Sequence, residues 1–322
     1  MNRAYAAEAL LKRVKALSKE IPAVRMAEDP EAVHRMRVAS RRLRSGLELF
    51  EPVLGKRARP WRRELRGVTR ALGNARDADV QIAFLTEFLA GQPGPVFRPG
   101  IERLRLRLEQ RRERLQRNVV RAMEGLESGG LLEEMRTALS RIHRQHQGGT
   151  EACGEGAVDA ISARLAELMS YERFIHQPER VAELHQMRIA AKKLRYTMEI
   201  FEPLYGEEFT TALEAVRDLQ TALGDLHDCD VWVQSIPQMA TEEEERTRIY
   251  HGHVRAFSRL RKGMLHLQEE RTERLAELRE RFIRLWEGLR NAISSSPQCP
   301  PKPAPTPRAA PRGAAVTPRS AS

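Results

Sequence analysis

The chain has 322 residues, 41% hydrophobic, 31% charged and 5% aromatic, with a formal charge of +11 and a pI near 10.0. That apolar share is enough to bury a core, while abundant charge and few aromatics argue against a β-rich fold and for long, half-solvated helices. The charge predicts an acidic partner, and the absence of any apolar run long enough to cross a bilayer, or to act as a signal peptide in MNRAYAAEALLKRVKAL, makes a cytoplasmic protein the expectation.

Apolar residues recur with helical spacing nearly throughout, without the alternation of strands, and predict an all-α chain. In chain order the expected helices cover 4–27, 30–50, 57–73, 77–90, 100–126 and 131–146, punctuated by PGPVFRPG at 93–100 and SGG at 128–130. After GGTEACGEG at 148–156 the pattern restarts, with helices over 157–175, 179–202, 207–223 and 227–236 and a long helical stretch from 241 to 293. Residues 294–322 are dense in proline, with four basic residues and no acid, and read as a disordered basic tail. Cys153, Cys229 and Cys299 are odd in number and outside any CxxC, which suggests neither a disulfide framework nor a cysteine-rich zinc site.

The stretch VHRMRVASRRLRS at 33–45 returns as LHQMRIAAKKLRY at 184–196. Aligned without a gap at an offset of 151, residues 33–80 and 184–231 share 18 identities in 48 positions, which reads as an internal duplication, with one repeat over about 1–147 and the other over about 155–293. Both copies carry FEP, at 50–52 and 201–203, where proline stops the preceding helix, and then a turn glycine, Gly55 or Gly206. Both also carry ALG followed by D-x-DV. Gly73 and Gly224 there read as helix-terminal glycines, and Asp77 and Asp228 as N-caps of the next helices.

At about 100° per residue, Val33, Met36, Ser40, Leu43, Leu47 and Phe50 share one helix face, as do Leu184, Met187, Ala191, Leu194, Met198 and Phe201. Beside that core face lie His34, Arg37, Arg41 and Arg44 in one copy and His185, Arg188, Lys192 and Arg195 in the other. Each set is a ladder of four basic groups, with rungs about one turn apart, so like charges crowd and a neutralising partner is expected. Glu48 and Glu199 continue the stripes. The plainer reading is a solvated charged face, but both copies keep the rungs basic while Lys56 and Arg57 give way to Glu207 and Glu208. Arginine grips phosphate through a planar fork and lysine as a mobile point charge, so the mixture suits an extended phosphorylated ligand.

Sharper chemistries find less support. His227 and Asp228 form an HD doublet that, with His185 and Asp230, suggests a metal-dependent phosphohydrolase acting on condensed phosphates or nucleotides, but the matched positions in the other copy are Arg76 and Asp77. The acid pairs Asp77/Asp79 and Asp228/Asp230 are explained by capping and ion pairing without a cation. Nucleic acid is disfavoured by the absence of zinc-finger spacing and of an RNP-like aromatic segment. No P-loop or Ser–His–Asp pattern is present.

The paired [VL]H-x-MR-[VI]-A-x-[RK][RK]-LR segments, each followed by FEP and then ALG-x-x-x-D-x-DV, resemble the CHAD family, the conserved histidine α-helical domain. The resemblance covers nearly all of residues 1–293. It implies two pseudo-symmetric helical bundles whose basic helices line a central positive groove or pore, and binding of inorganic polyphosphate. Carried over residue by residue, it assigns the ligand to His34, Arg37, Arg41, Arg42 and Arg44 with His185, Arg188, Lys192, Lys193 and Arg195; Arg66 and Arg217, identical between copies, are secondary candidates. The ExExK motif of the triphosphate-processing domain fused to some relatives is absent. The expectation is therefore a cytoplasmic polyphosphate-binding module, associated with polyphosphate-rich bodies, that is not an enzyme and has no catalytic residue, metal or cofactor.

Overall fold

The first basic helix begins where its sequence allows. Asp29 is extended and its side chain accepts a hydrogen bond from the Glu31 N–H at 2.8 Å, while Pro30 occupies the first turn, where its missing N–H costs nothing. The helix then runs Pro30–Leu49 (α2) and stops at the FEP segment, which forms a short helix, Glu51–Leu54 (α3), closed by Gly55 at φ +66°. α1 (Arg3–Met26) precedes it, and α4 (Ala58–Ala90), α5 (Arg98–Ser128) and α6 (Leu131–Gln145) follow. The remainder comprises α7 (Cys153–Met169), α8 (Val181–Phe201), α9 (Glu207–His251) and α10 (Phe257–Ser295), with the FEP of α8 in a single 3-10 turn, Glu202–Leu204. The computed structural model describes residues 2–26, 29–146 and 153–295, and among the described residues there is no strand. The proline-rich tail and Cys299 lie outside them.

Five expected boundaries are corrected. α4 runs unbroken through Gly73 and Asp77, and α9 through Gly224 and Asp228, so neither glycine ends a helix and neither aspartate caps one. The core faces continue across both sites, with Leu72, Ala75 and Ala78 buried in α4 and Leu223, Leu226 and Cys229 in α9. A mid-helix glycine costs only about 1 kcal/mol, less than this packing returns. α9 also passes through Pro237 and the expected gap at 237–240, carried by Trp232 and Ile236 in the core. The expected long helix over 241–293 instead breaks at Gly252, whose φ of +72° makes it the left-handed terminus of α9. The helix expected over 157–175 ends at Met169 and is succeeded by the 3-10 turn Glu172–Phe174.

Packing falls into two cores. The larger gathers α1, α2, α6, α7 and α8 with the adjoining halves of α4, α5, α9 and α10; Phe50, Trp61, Phe201, Phe209, Phe282 and Trp286 are its largest buried rings. Fully burying such a side chain contributes about 1.5 to 3 kcal/mol. Within it α1, α2 and α8 meet: Tyr5 stacks on Phe201, its hydroxyl donates to the Ile200 carbonyl at 2.6 Å, and Phe50 meets Phe201 edge-on. A smaller, distal core is built from Leu85 and Leu89 of α4, Ile101, Leu104 and Leu108 of α5, Trp232 and Ile236 of α9, and Phe257, Met264 and Leu267 of α10. Here α5 and α10 touch backbone to backbone. A Cβ on Gly100 would lie 2.0 Å from the Leu260 carbonyl oxygen, and one on Gly263 would lie 1.9 Å from that of Phe97.

Candidate functional site

α2 and α8 pack against each other inside the larger core, and the basic stripe of each runs beside that contact. Arg37 and Arg188 are matched rungs in matched settings. Each side chain is 15% exposed and leans toward an aspartate on the following long helix, Arg37 Nη2 lying 3.2 Å from Asp77 Oδ1 and Arg188 Nη2 3.9 Å from Asp228 Oδ1. The expected capping aspartates are thus counter-ions to the ladders, held in mid-helix.

The rungs also reach one another. Burial lowers the pKa of Arg37, and the charge of Arg41 lowers it further, with Arg188 adding to the effect; Arg188 is lowered by burial and by Arg41 in turn, against the opposing pull of Asp228. Lys192 sits where these fields sum. Burial, then Arg188, Arg41 and Arg37, bring its ammonium down to about 6. Farther along, Arg44 is lowered by burial and by the charges of Arg66 and Arg62, which puts Arg66 close to the ladder.

These cations are short of acceptors. The Nε atoms of Arg37, Arg188 and Arg44 are buried without a hydrogen-bond partner, and that of Arg195, the match of Arg44, has no hydrogen bond and faces Glu199 at 3.7 Å. A buried donor left unpaired costs roughly 1 to 3 kcal/mol. Such donors beside mutually repelling charges form a cationic surface complementary to an anion with many acceptor oxygens.

The two histidines do not play equal parts. His185 Nδ1 lies 3.4 Å from Nδ1 of His227, their rings 4.6 Å apart. Burial and then Arg188 push both pKa values down, His227 to about 4, so this pair is neutral at pH 7 with one ring donating and the other accepting. His227 therefore belongs with the ladder through His185. Among the described residues no group of three His, Cys, Asp or Glu is placed to hold a metal ion. His34 sits on the border of its stripe. It helps line a cavity of about 260 Å³ between α1 and α2, with Arg13, Arg35 and Arg42, and its buried Nδ1 has no partner.

Three predicted residues lie away from the rungs. Arg42 donates to Glu199 at 2.9 Å, Arg217 approaches the same carboxylate at 3.9 Å, and Arg195 reaches it at 3.7 Å while stacking on Tyr196. Glu199, 8% exposed, thus holds cations from both basic helices and from α9. Lys193 donates to Glu167 of α7 at 2.5 Å and is engaged there. Sequence reasoning missed Arg13, half-buried beside Glu199 and Arg42 with its pKa lowered by that burial. An arginine set among Leu10, Val14 and Leu17 on one face of α1 was the available signal.

The fold and site define a class: an all-helical protein in which two basic helices, each ending at FEP and leading into a long helix, are packed side by side. The CHAD domain model matches residues 8–237, more than half of the chain, and the protein belongs to that family. Among solved structures it is similar to the CHAD domain from the plant Ricinus communis, at 22% identity and a TM-score of 0.67, covering 88% of this chain and 92% of that one. It is also similar to PptA from Streptomyces chartreusis, at 15% identity and a TM-score of 0.67, covering 89% and 99%. At these identities the likeness is one of fold. No curated protein matches.

Proposed function

We propose that the chain is a polyphosphate-binding module in which the α2 and α8 ladders act as one extended, non-catalytic site. The observation that carries this reading is the set of buried Nε donors of Arg37, Arg188 and Arg44 without hydrogen-bond partners, beside cations close enough to depress one another. Membership of a family associated with polyphosphate binding supports it. An internal duplication would supply the pairing, since one ladder spans only about three turns, roughly 15 Å. Arg37, Arg41 and Arg44 with Arg188, Lys192 and Arg195 bind successive phosphates by charge-assisted hydrogen bonds. His34, His185 and Arg66 extend the path, while Arg42, Lys193 and Arg217 support it through Glu199 and Glu167. Counter-ions released from the polyanion add a salt-dependent contribution, by analogy with nucleic acids. The setting we propose is the cytoplasm, at polyphosphate-rich bodies.

The test is titration with polyphosphates of defined length, using the wild type and two triple variants. Arg37→Gln, Arg41→Gln and Arg44→Gln together should weaken long-chain binding by at least about a hundred-fold, at about 1.5 to 3 kcal/mol per contact before screening. Arg188→Gln, Lys192→Gln and Arg195→Gln should do the same, and both should flatten the salt dependence. A triple variant that binds like the wild type while the other fails would break the joint site. Phosphate release from polyphosphate on adding a divalent metal would favour the phosphohydrolase instead.

A further inference from the structure

The far end of the molecule carries a second surface, unrelated to the ladders. From residue 246 to residue 262 the sequence reads RTRIYHGHVRAFSRLRK, with six arginine or lysine residues, two histidines and no acid. It spans the end of α9, the turn at Gly252 and the start of α10, beyond the last residue matched by the family model. All six cations are exposed. So are Ile249 at 76% and Tyr250 at 83%, the two most exposed large apolar side chains among the described residues.

These residues border a concave space. A cavity of about 730 Å³ is lined by Arg103 and Arg107 of α5, Arg246, Ile249 and Tyr250 of α9, and Leu260 of α10. Its arginines already show what they accept. Behind them Glu243, 1% exposed, takes hydrogen bonds from Arg107, from Arg103 at 3.2 Å and from Arg246 at 2.7 Å. Arg246 also pairs with Glu242 at 3.0 Å and Arg248 with Glu245 at 2.8 Å, but Arg255, Arg259, Arg261 and Lys262 follow in the turn and the start of α10 with no acid among them, so cations outnumber carboxylates at this end.

We infer that this tip docks an acidic protein segment that places a bulky apolar side chain in the cavity. Charge decides the sign of the partner: a second copy would bring two strongly basic tips together and repel. Shape decides the rest. The concave apolar wall of Ile249, Tyr250 and Leu260 gives a polyphosphate nothing to fill, one exposed tyrosine offers a single stacking platform to a nucleic acid, and a bilayer is served by a convex surface rather than a hollow. Aromatic and arginine anchors around a pocket are the residues that dominate protein interfaces.

The test uses the full chain and fluorescence anisotropy of two labelled acidic peptides, identical except that one carries a central Phe–Leu pair and the other Ser–Ser. The apolar peptide should bind at least about ten-fold more tightly. The double variant Ile249→Ser, Tyr250→Ser, altered only at exposed positions, should erase that difference while titrating polyphosphate like the wild type. Equal binding of the two peptides, no binding of either, or unchanged peptide binding by the double variant overturns the inference. So does an oligothymidylate or an anionic phosphatidylserine vesicle that binds the wild type and loses at least about ten-fold on the same double change.

Discussion

The ladder region and the distal tip are both rich in partly buried arginine, yet they treat charge in opposite ways. At the tip Glu243 lies inside a fork of arginines. Burial alone would raise its pKa, but hydrogen bonds from Arg107 and Arg246 hold it below the usual carboxylate range. Along α2 and α8 the opposite holds: Arg37, Arg188 and Lys192 are pushed below their ordinary values by burial and by one another. Arginines gathered around a buried carboxylate are part of the fold, whatever excess charge they leave at the surface. Like charges that face each other cost the folded state something that an outside anion would return.

The contrast can be broken most forcefully at Glu243. Glu243→Ala leaves three arginines without their shared acceptor and should cost about 3 kcal/mol, the lower end for a broken buried pair because the guanidiniums are partly exposed. Chemical denaturation should show the loss, with polyphosphate affinity unchanged. Because the Glu243 pKa is depressed, its contribution is present above the ordinary glutamate range and is lost as pH falls through the lowered value.

Next in size is Gly100→Ala, which forces a methyl group onto the Leu260 carbonyl where α5 crosses α10. About 1 to 3 kcal/mol of destabilisation is expected, again with ladder binding intact. Equal stability to the wild type would show that the two helices are free to separate.

At the ladder the sign should reverse. Lys192→Met removes a half-buried cation from among three arginines and should stabilise the protein by about 1 kcal/mol while weakening polyphosphate binding. In the wild type, folding lowers the Lys192 pKa from 10.5 to about 6, so the unfolded chain binds more protons between those values and stability rises with pH across that window. Ligand binding works the other way. A polyanion raises this pKa, so binding at pH 7 takes up protons, and affinity should fall as pH rises above about 6. Calorimetry in buffers of different ionisation enthalpy would read the uptake, and Lys192→Met should reduce it. The smallest effect is expected from removing the residues after Ser296, whose four cations are spread along a proline-rich sequence; long-chain affinity should stay within about threefold.

Much of the ladder was legible because its period is so regular: four cations at spacings of three and four, written twice beside an apolar stripe, can occupy only one strip of a helix. The continuity of α4 and α9 was not. ALG followed by aspartate is also how a helix ends and another begins, and only the core contacts on both sides of Gly73 and Gly224 decide for one long helix. Arg42 and Lys193 show a different limit. Adjacent basic letters point about 100° apart on a helix, and their destinations depend on carboxylates, Glu199 and Glu167, whose proximity is tertiary. Likewise nothing in TEEEER marks its third residue, Glu243, as the buried one until α5 is packed against α9.

The position of Lys192 also gives the molecule a chemical reporter. An amine with a pKa near 6 is mostly unprotonated at neutral pH, the form that attacks acylating reagents, whereas an ordinary exposed lysine, near 10.4, is almost entirely ammonium. Lys192 is only partly covered, so a small activated ester should mark it ahead of the surface lysines. A phosphate chain seated on the rungs would return the proton and silence the reaction, making occupancy of the ladder readable as protection of a single side chain.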